Sequence, residues 1–307
     1  MSHSGPRRRL DKARIPLDRI ERLARVVDER QAGGLVSFMG LWGPERDPQE
    51  SVETRPMAAV PSLDAHAHFA PTRTAGELRD AGAVLAMMLS LEEVALHSKP
   101  TDLPIAWGVG CHPRNPKAQE AFDAERFAEL VERTAVGGEI GLDTRWSRVP
   151  LATQLETFRR ILAVLAKLPR LVSIHSYSAT SLVLEELRRR PIAVPILHWW
   201  TGTVAQTREA VALGCYFSVH SAVVRQSKFR TAVPPERLLV ESDHGWSDPP
   251  AAIPCRVEWV EHLLAQHLGC RQTDVRELVW RNLSTIVRET GTRSLLPEAL
   301  QTLLPDG

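Results

Sequence analysis

The chain has 307 residues, 43% of them hydrophobic, enough for one large core or two modest ones. Its 38 basic and 37 acidic residues leave a net charge of +1, which excludes the global basic field of a protein that holds nucleic acid by charge alone. Cys111, Cys215, Cys255 and Cys270 are scattered with no C-x-x-C pair, which argues against a disulfide framework or a cysteine zinc site and for a reducing, cytoplasmic setting.

Arg7, Arg8 and Arg9 are followed by no apolar stretch, so no signal peptide is expected, and no run approaches the roughly 18 apolar residues of a membrane span. Residues 17–27 carry apolar side chains at helical spacing and predict one amphipathic helix. Gly33-Gly34, Gly43-Pro44 and Pro48 then break the pattern. Residues 1–57 are expected to be an N-terminal extension, either a helical arm that docks a protein partner or a stretch ahead of a mis-assigned start at Met57.

From residue 58 short apolar runs alternate with helical patterns. The runs are Ala59–Asp64, Ala83–Ser90, Ile105–Gly110, Val136–Gly141, Leu171–His175, Val194–His198, Cys215–His220 and Leu238–Asp243. Helical periodicity marks Phe127–Thr134, Leu151–Leu168, Ala179–Arg190, Val204–Leu213 and Val223–Val233, with Val257–His267 and Thr273–Thr290 as closing helices. Eight β-then-α units predict an α/β fold of the (β/α)8 barrel type over residues 58–292, leaving residues 293–307 as a C-terminal tail.

The polar residues cluster at one end of these runs. His66 and His68 follow the first, Glu139 lies in the fourth, His175 and His198 end the fifth and sixth, and Asp243 ends the eighth. The C-terminal ends of barrel strands share one face, where barrel enzymes keep their active sites. His66 and His68 are spaced i, i+2, which places both on one side of a strand. Imidazole nitrogen and carboxylate oxygen suit a divalent ion. Polar groups in buried parallel strands are costly unless partnered, so six together are hard to assign to packing. One catalytic zinc needs about three protein ligands, so six such groups point to two metal ions.

The segments Asp64-Ala-His-Ala-His68, Gly110-Cys-His-Pro113, Gly138-Glu-Ile-Gly-Leu-Asp143, Ile174-His-Ser176, Leu197-His-Trp-Trp-Thr-Gly202 and Val240-Glu-Ser-Asp243 resemble, in order, the motifs of TatD-type metal-dependent hydrolases, barrels of the amidohydrolase superfamily. The resemblance covers roughly residues 60–290 and implies a deoxyribonuclease, exonuclease-like, with two divalent ions (Mg, Mn or Zn) and a single-stranded DNA substrate. It implies that His66, His68, Glu139 and Asp243 hold one ion, that Glu139, His175 and His198 hold the other, and that Asp243 is also the general base for a metal-activated water. Parts of the sequence also resemble TatD-like nucleases of bacterial antiphage operons, which implies a subunit that works with a partner.

There are departures. The family has Arg after the His-Ser of the fifth strand; this chain has Tyr177, which leaves Arg114 or Arg145 to hold a phosphate. His244 follows Asp243 where a small residue is usual and is a candidate phosphate contact, as is His112. Asp143 and Asn282 are expected to support the site, and Trp146, Trp199, Trp200 and Trp246 fall just past strand ends, where an indole can stack on a base. The near-neutral charge and the missing Arg keep a small-molecule amidase or lactonase open as the alternative.

Overall fold

The computed structural model describes residues 60–69, 74–94, 102–224, 226, 232–245 and 256–305; the expected N-terminal helix, Trp246 and Cys255 lie outside them. Eight strands form one parallel sheet in sequence order: β1 (Leu63–Ala67), β2 (Ala83–Met87), β3 (Ile105–Val109), β4 (Val136–Gly141), β5 (Leu171–His175), β6 (Val194–Leu197), β7 (Tyr216–Val219) and β8 (Leu238–Val240). Nearly every strand residue is buried, as a sheet covered on both faces requires, and so the apolar runs are continuous rather than alternating.

Helices cover the outside. The main ones are α1 (Ala75–Leu78), α2 (Pro116–Glu120), α3 (Ala124–Val131), α4 (Leu151–Leu165), α5 (Thr180–Arg189), α6 (Val204–Ala212), α7 (Ser221–Val224), α8 (Glu258–Leu268), α9 (Gln272–Thr290) and α10 (Glu298–Gln301). In α4, Phe158, Ile161, Leu162 and Leu165 recur at 3.6-residue spacing and are all buried against the sheet. Thr203 and Gln206 form a reciprocal capping box that starts α6. Sequence periodicity did not reveal α1 and α2, each of five residues or fewer, too short to show a helical period. Leu296, Leu300 and Leu304 pack into the same apolar cluster as β1, β8 and α9, so the C-terminal segment is part of the core.

The barrel closes between β1 and β8 without a full ladder. Asp243 N–H donates to His66 O at 3.0 Å and His68 N–H to His244 O at 2.7 Å. Below them the buried Asp64 carboxylate accepts from Ser242 N at 3.1 Å, from Ser242 Oγ at 2.5 Å and from His66 N at 3.1 Å. Burial outweighs these donors and raises the Asp64 carboxyl to about 7. Asn282 of α9 donates to Pro235 O and Leu238 O, both at 2.8 Å, and so ties the closing helix to the start of β8.

Gly141 ends β4 at φ +126°, and a Cβ there would sit 2.1 Å from His175 O. Only glycine allows this approach, which brings the ends of β4 and β5 together. Gly141→Ala is therefore expected to lower the unfolding free energy by about 3 kcal/mol or more in urea denaturation. A loss under about 1 kcal/mol would mean that the two strand ends separate without cost.

Candidate metal centre

Glu139 lies at the centre of the barrel mouth. Its neighbours, Gly138 and Gly108, let β3 and β4 approach so closely that a Cβ on Gly138 would lie 2.4 Å from Gly108 O. The two carboxylate oxygens divide the surrounding side chains. Oε2 faces His68 Nε2 at 3.1 Å and His66 Nε2 at 3.6 Å. Oε1 faces His175 Nδ1 at 2.7 Å, His198 Nε2 at 3.0 Å and His112 Nε2 at 3.1 Å. Asp243 joins the first group, with Oδ1 at 3.6 Å from His68 Nε2 and 3.7 Å from His66 Nε2. The strands thus bring together all six side chains expected to form one site, and each is buried.

The rear nitrogens are held by the barrel. His68 Nδ1 donates to Met87 O at 2.9 Å, and His66 Nδ1 pairs with Ser173 Oγ at 2.7 Å. His175 Nε2 faces Asp143 Oδ2 at 3.1 Å, and His198 Nδ1 lies 3.7 Å from Glu241 Oε1, too long for a hydrogen bond but close for a charge. Acceptors behind the rings turn nitrogen lone pairs inward, the arrangement by which proteins prepare imidazole ligands. Asp143 itself is oriented by Arg145 N–H and Trp146 N–H, at 2.9 and 2.7 Å.

His112 is different. Arg114 N–H donates to its Nδ1 at 3.0 Å, so in the neutral ring the proton is on Nε2 and points at Glu139. His112 lies close enough to Glu139 and His175 to complete a group of three metal-binding side chains, but that tautomer makes it a donor to the carboxylate instead. His244 is buried beside Phe69, with ring centroids 6.0 Å apart, and does not line the cavity. Its expected role as a phosphate contact finds no support in that position. Arg114 does line the cavity, 3.8 Å from Asp143.

Glu241 escaped the sequence reading. Fully buried, it accepts from Trp199 N–H at 2.7 Å and from Ser218 Oγ. A carboxylate two residues before Asp243, at the end of a buried strand, was the available signal. Asp243 and Trp199 leave their strands at φ +50° and +41°. Non-glycine residues hold such left-handed conformations at a cost of about 1–3 kcal/mol, tolerated where the surroundings fix them, as here around the cluster.

Electrostatics oppose burial at almost every group. Burial alone would raise Glu139, yet the imidazoles of His112 and His198 hold it well below the carboxylate range. Burial likewise works against His68, but Asp243 and Glu139 raise it to about 10. His198 is raised well above the usual imidazole value, and His175 is raised, both against the pull of burial, by carboxylates on either side. His66 and His112 go down, burial being the larger influence. The cluster therefore demands cationic charge, supplied either by protons or by metal ions. Glu139 Oε2 is buried and accepts no hydrogen bond, although His68 Nε2 is near. An unsatisfied carboxylate oxygen ringed by imidazole nitrogens and Asp243 fits a divalent cation.

A cavity of about 380 Å³ opens over the cluster. A parallel (β/α)8 barrel carrying such a cluster at the C-terminal ends of its strands has the architecture of metal-dependent barrel hydrolases. The model of the TatD related DNase family matches residues 63–288, and the chain belongs to that family of metal-dependent hydrolases. It is 25% identical over 194 residues to the uncharacterized metal-dependent hydrolase YabD of Bacillus subtilis, a match covering 60% of this chain and 75% of YabD. It is 28% identical over 173 residues to the 3'-5' ssDNA/RNA exonuclease TatD of Cronobacter turicensis, covering 51% of this chain and 66% of that one. The crystal structure of YJJV, a TatD homolog from Escherichia coli K12, superposes with a TM-score of 0.63 at 20% identity, over 73% of this chain and 97% of YJJV, and supports the barrel fold. Among the described residues no helix is long and apolar enough to cross a membrane.

Metal uptake must displace protons from raised imidazoles, so acid weakens it. Zn2+ affinity measured by calorimetry is expected to fall at least about tenfold per pH unit between pH 8 and pH 6. A pH-independent affinity would show that the ion binds elsewhere. Asp143→Asn and Glu241→Gln are each expected to weaken metal affinity by about 10–100-fold, since Asp143 fixes the His175 ring by a hydrogen bond and Glu241 places a negative charge behind His198.

Proposed function

We propose that the chain is a phosphodiesterase acting on single-stranded DNA, with two divalent ions bridged by Glu139. The observation that carries this reading is the division of the cluster by the two oxygens of Glu139, one facing His66 and His68, the other His175 and His198. In the proposed site His66, His68, Asp243 and Glu139 would hold one ion, and Glu139, His175 and His198 would hold the other. Bound divalent ions would supply Lewis acidity towards phosphate oxygens and lower the pKa of water towards neutrality.

The protein's own groups do the rest. Asp243 accepts the proton of the attacking water at its carboxylate. Arg114 meets the phosphate at the cavity wall, a place left to it because Tyr177 stands where the family has Arg. His112 keeps Glu139 in place through Nε2–H. The barrel walls bury the reacting centre, which strengthens each electrostatic contact. The relatives named as a DNase family and as an ssDNA/RNA exonuclease support the substrate class.

A small-molecule hydrolase is the second reading, favoured by a cavity with one arginine, Arg114, and no lysine among its described lining residues. End-labelled single-stranded DNA with Mg2+ or Mn2+ separates the two. Release of mononucleotides by the wild type, and a fall of at least about 100-fold in kcat for Asp243→Asn, is the expected result. Turnover of lactones or amides without DNA cleavage would establish the second reading instead.

A further inference from the structure

The cavity rim carries two of the most exposed large apolar side chains among the described residues. Trp146 is 57% exposed and Tyr177 is 44% exposed, and both line the cavity. Exposed aromatic rings beside a polar cavity offer flat faces on which a planar ligand can stack. The two rings stand on adjacent loops, after β4 and after β5, and the backbone beneath them is fixed. Thr144 Oγ1 donates to Ser178 O at 2.7 Å and Thr144 N–H to Tyr177 O at 3.3 Å. Trp146 N–H is held by Asp143, and Ser147 Oγ donates to Pro113 O at 2.8 Å. The Arg145 guanidinium lies 5.4 Å from the Trp146 ring centroid and adds positive charge at the same rim.

Depth and chemistry are graded in this cavity. The cluster lies at the floor, Arg114 on the wall and the aromatic rings at the mouth. At about 380 Å³ the volume is near the low end for ligand sites, roughly 300–1,000 Å³, and suits one nucleotide at a time. A phosphate at the floor leaves its attached base at the rim. Tyr177 offers a π face at the mouth of the cavity, across from Trp146 on the neighbouring loop.

Resting on the proposed nuclease reading, we infer that Trp146 and Tyr177 form a subsite that stacks an unpaired nucleobase next to the scissile phosphate. A base held in a duplex stack cannot offer its face to these rings, so the subsite selects single strands. Stacking on an aromatic ring is tolerant of base identity, so all four bases are accepted.

The experiment compares ordinary end-labelled single-stranded DNA with an oligonucleotide that is abasic at the cleaved nucleotide and its neighbour. It uses full-length wild type, Trp146→Ala, Tyr177→Ala and Tyr177→Phe with Mn2+. On ordinary DNA each alanine variant is expected to raise KM by about 5–100-fold, with the effect on KM rather than on kcat. Tyr177→Phe is expected to restore the wild-type KM. On abasic DNA the wild type is expected to show the same raised KM, and the alanine substitutions to add less than about twofold. Equal KM for abasic and ordinary DNA in the wild type, or alanine variants that lose as much on abasic DNA as on ordinary DNA, would overturn the subsite while leaving the nuclease reading intact. No cleavage of any DNA by the wild type would overturn both. Thermal unfolding of the variants checks that these exposed substitutions leave the barrel folded.

Discussion

A carboxylate enclosed in a protein core is stable only if positive charge reaches it, and Glu139 imposes that condition on this barrel. Removed from water, it faces imidazoles contributed by β5, by the ends of β1 and β6 and by the loop after β3. Those rings need acceptors behind them, and so the demand spreads outward to Asp143, Glu241, Ser173 and the Met87 carbonyl. Much of the polar content of the barrel interior follows from this one charge. The same logic explains why the groups meet burial with different outcomes: the imidazoles hold Glu139 low and the carboxylates raise His68, His175 and His198 against burial, whereas burial prevails at His66, His112 and Asp64.

Such a network tolerates little error in strand position. Glycines at 108, 138 and 141 remove the side chains that would keep β3, β4 and β5 apart. The seam between β1 and β8 is short in ladder bonds and long in side-chain bonds, with Asp64 and Ser242 joining the strands just below the cluster. Asn282 reaches across from α9 to fix β8 from outside. Packing energy from the helices sets the overall barrel, while these few polar ties set the last ångström on which the geometry of the cluster depends.

The fold was legible because each strand is a continuous apolar run closed by a polar residue. β4 and β5 have the bounds that their runs predict, whereas β1 begins at Leu63 and runs through His66 to Ala67, past its expected end at Asp64. That error arose because a histidine is a weak strand signal, and it is buried here only through the cluster. The six converging side chains were visible as end-of-run polar residues. Glu241 was not, because its partners Ser218 and Trp199 N–H come from elements that only the fold brings near. His112 illustrates a different limit: its residue type suggested substrate contact, but a backbone N–H on Nδ1 determines what its other nitrogen does. His244 follows Asp243, which has a left-handed backbone conformation, and its ring is buried beside Phe69.

The closure between β1 and β8 also orders events in time. His66 and Asp243, joined by Asp243 N–H to His66 O, stand near opposite ends of the barrel sequence, and Leu300 and Leu304 lie in the cluster that backs this seam. Contacts of such long sequence separation form late and slowly. During synthesis the first strand emerges with two histidines and a carboxylate whose partners have yet to leave the ribosome. The cluster is thus incomplete in any partial chain that lacks β8, and nascent β1 keeps one edge unpartnered until that strand has emerged.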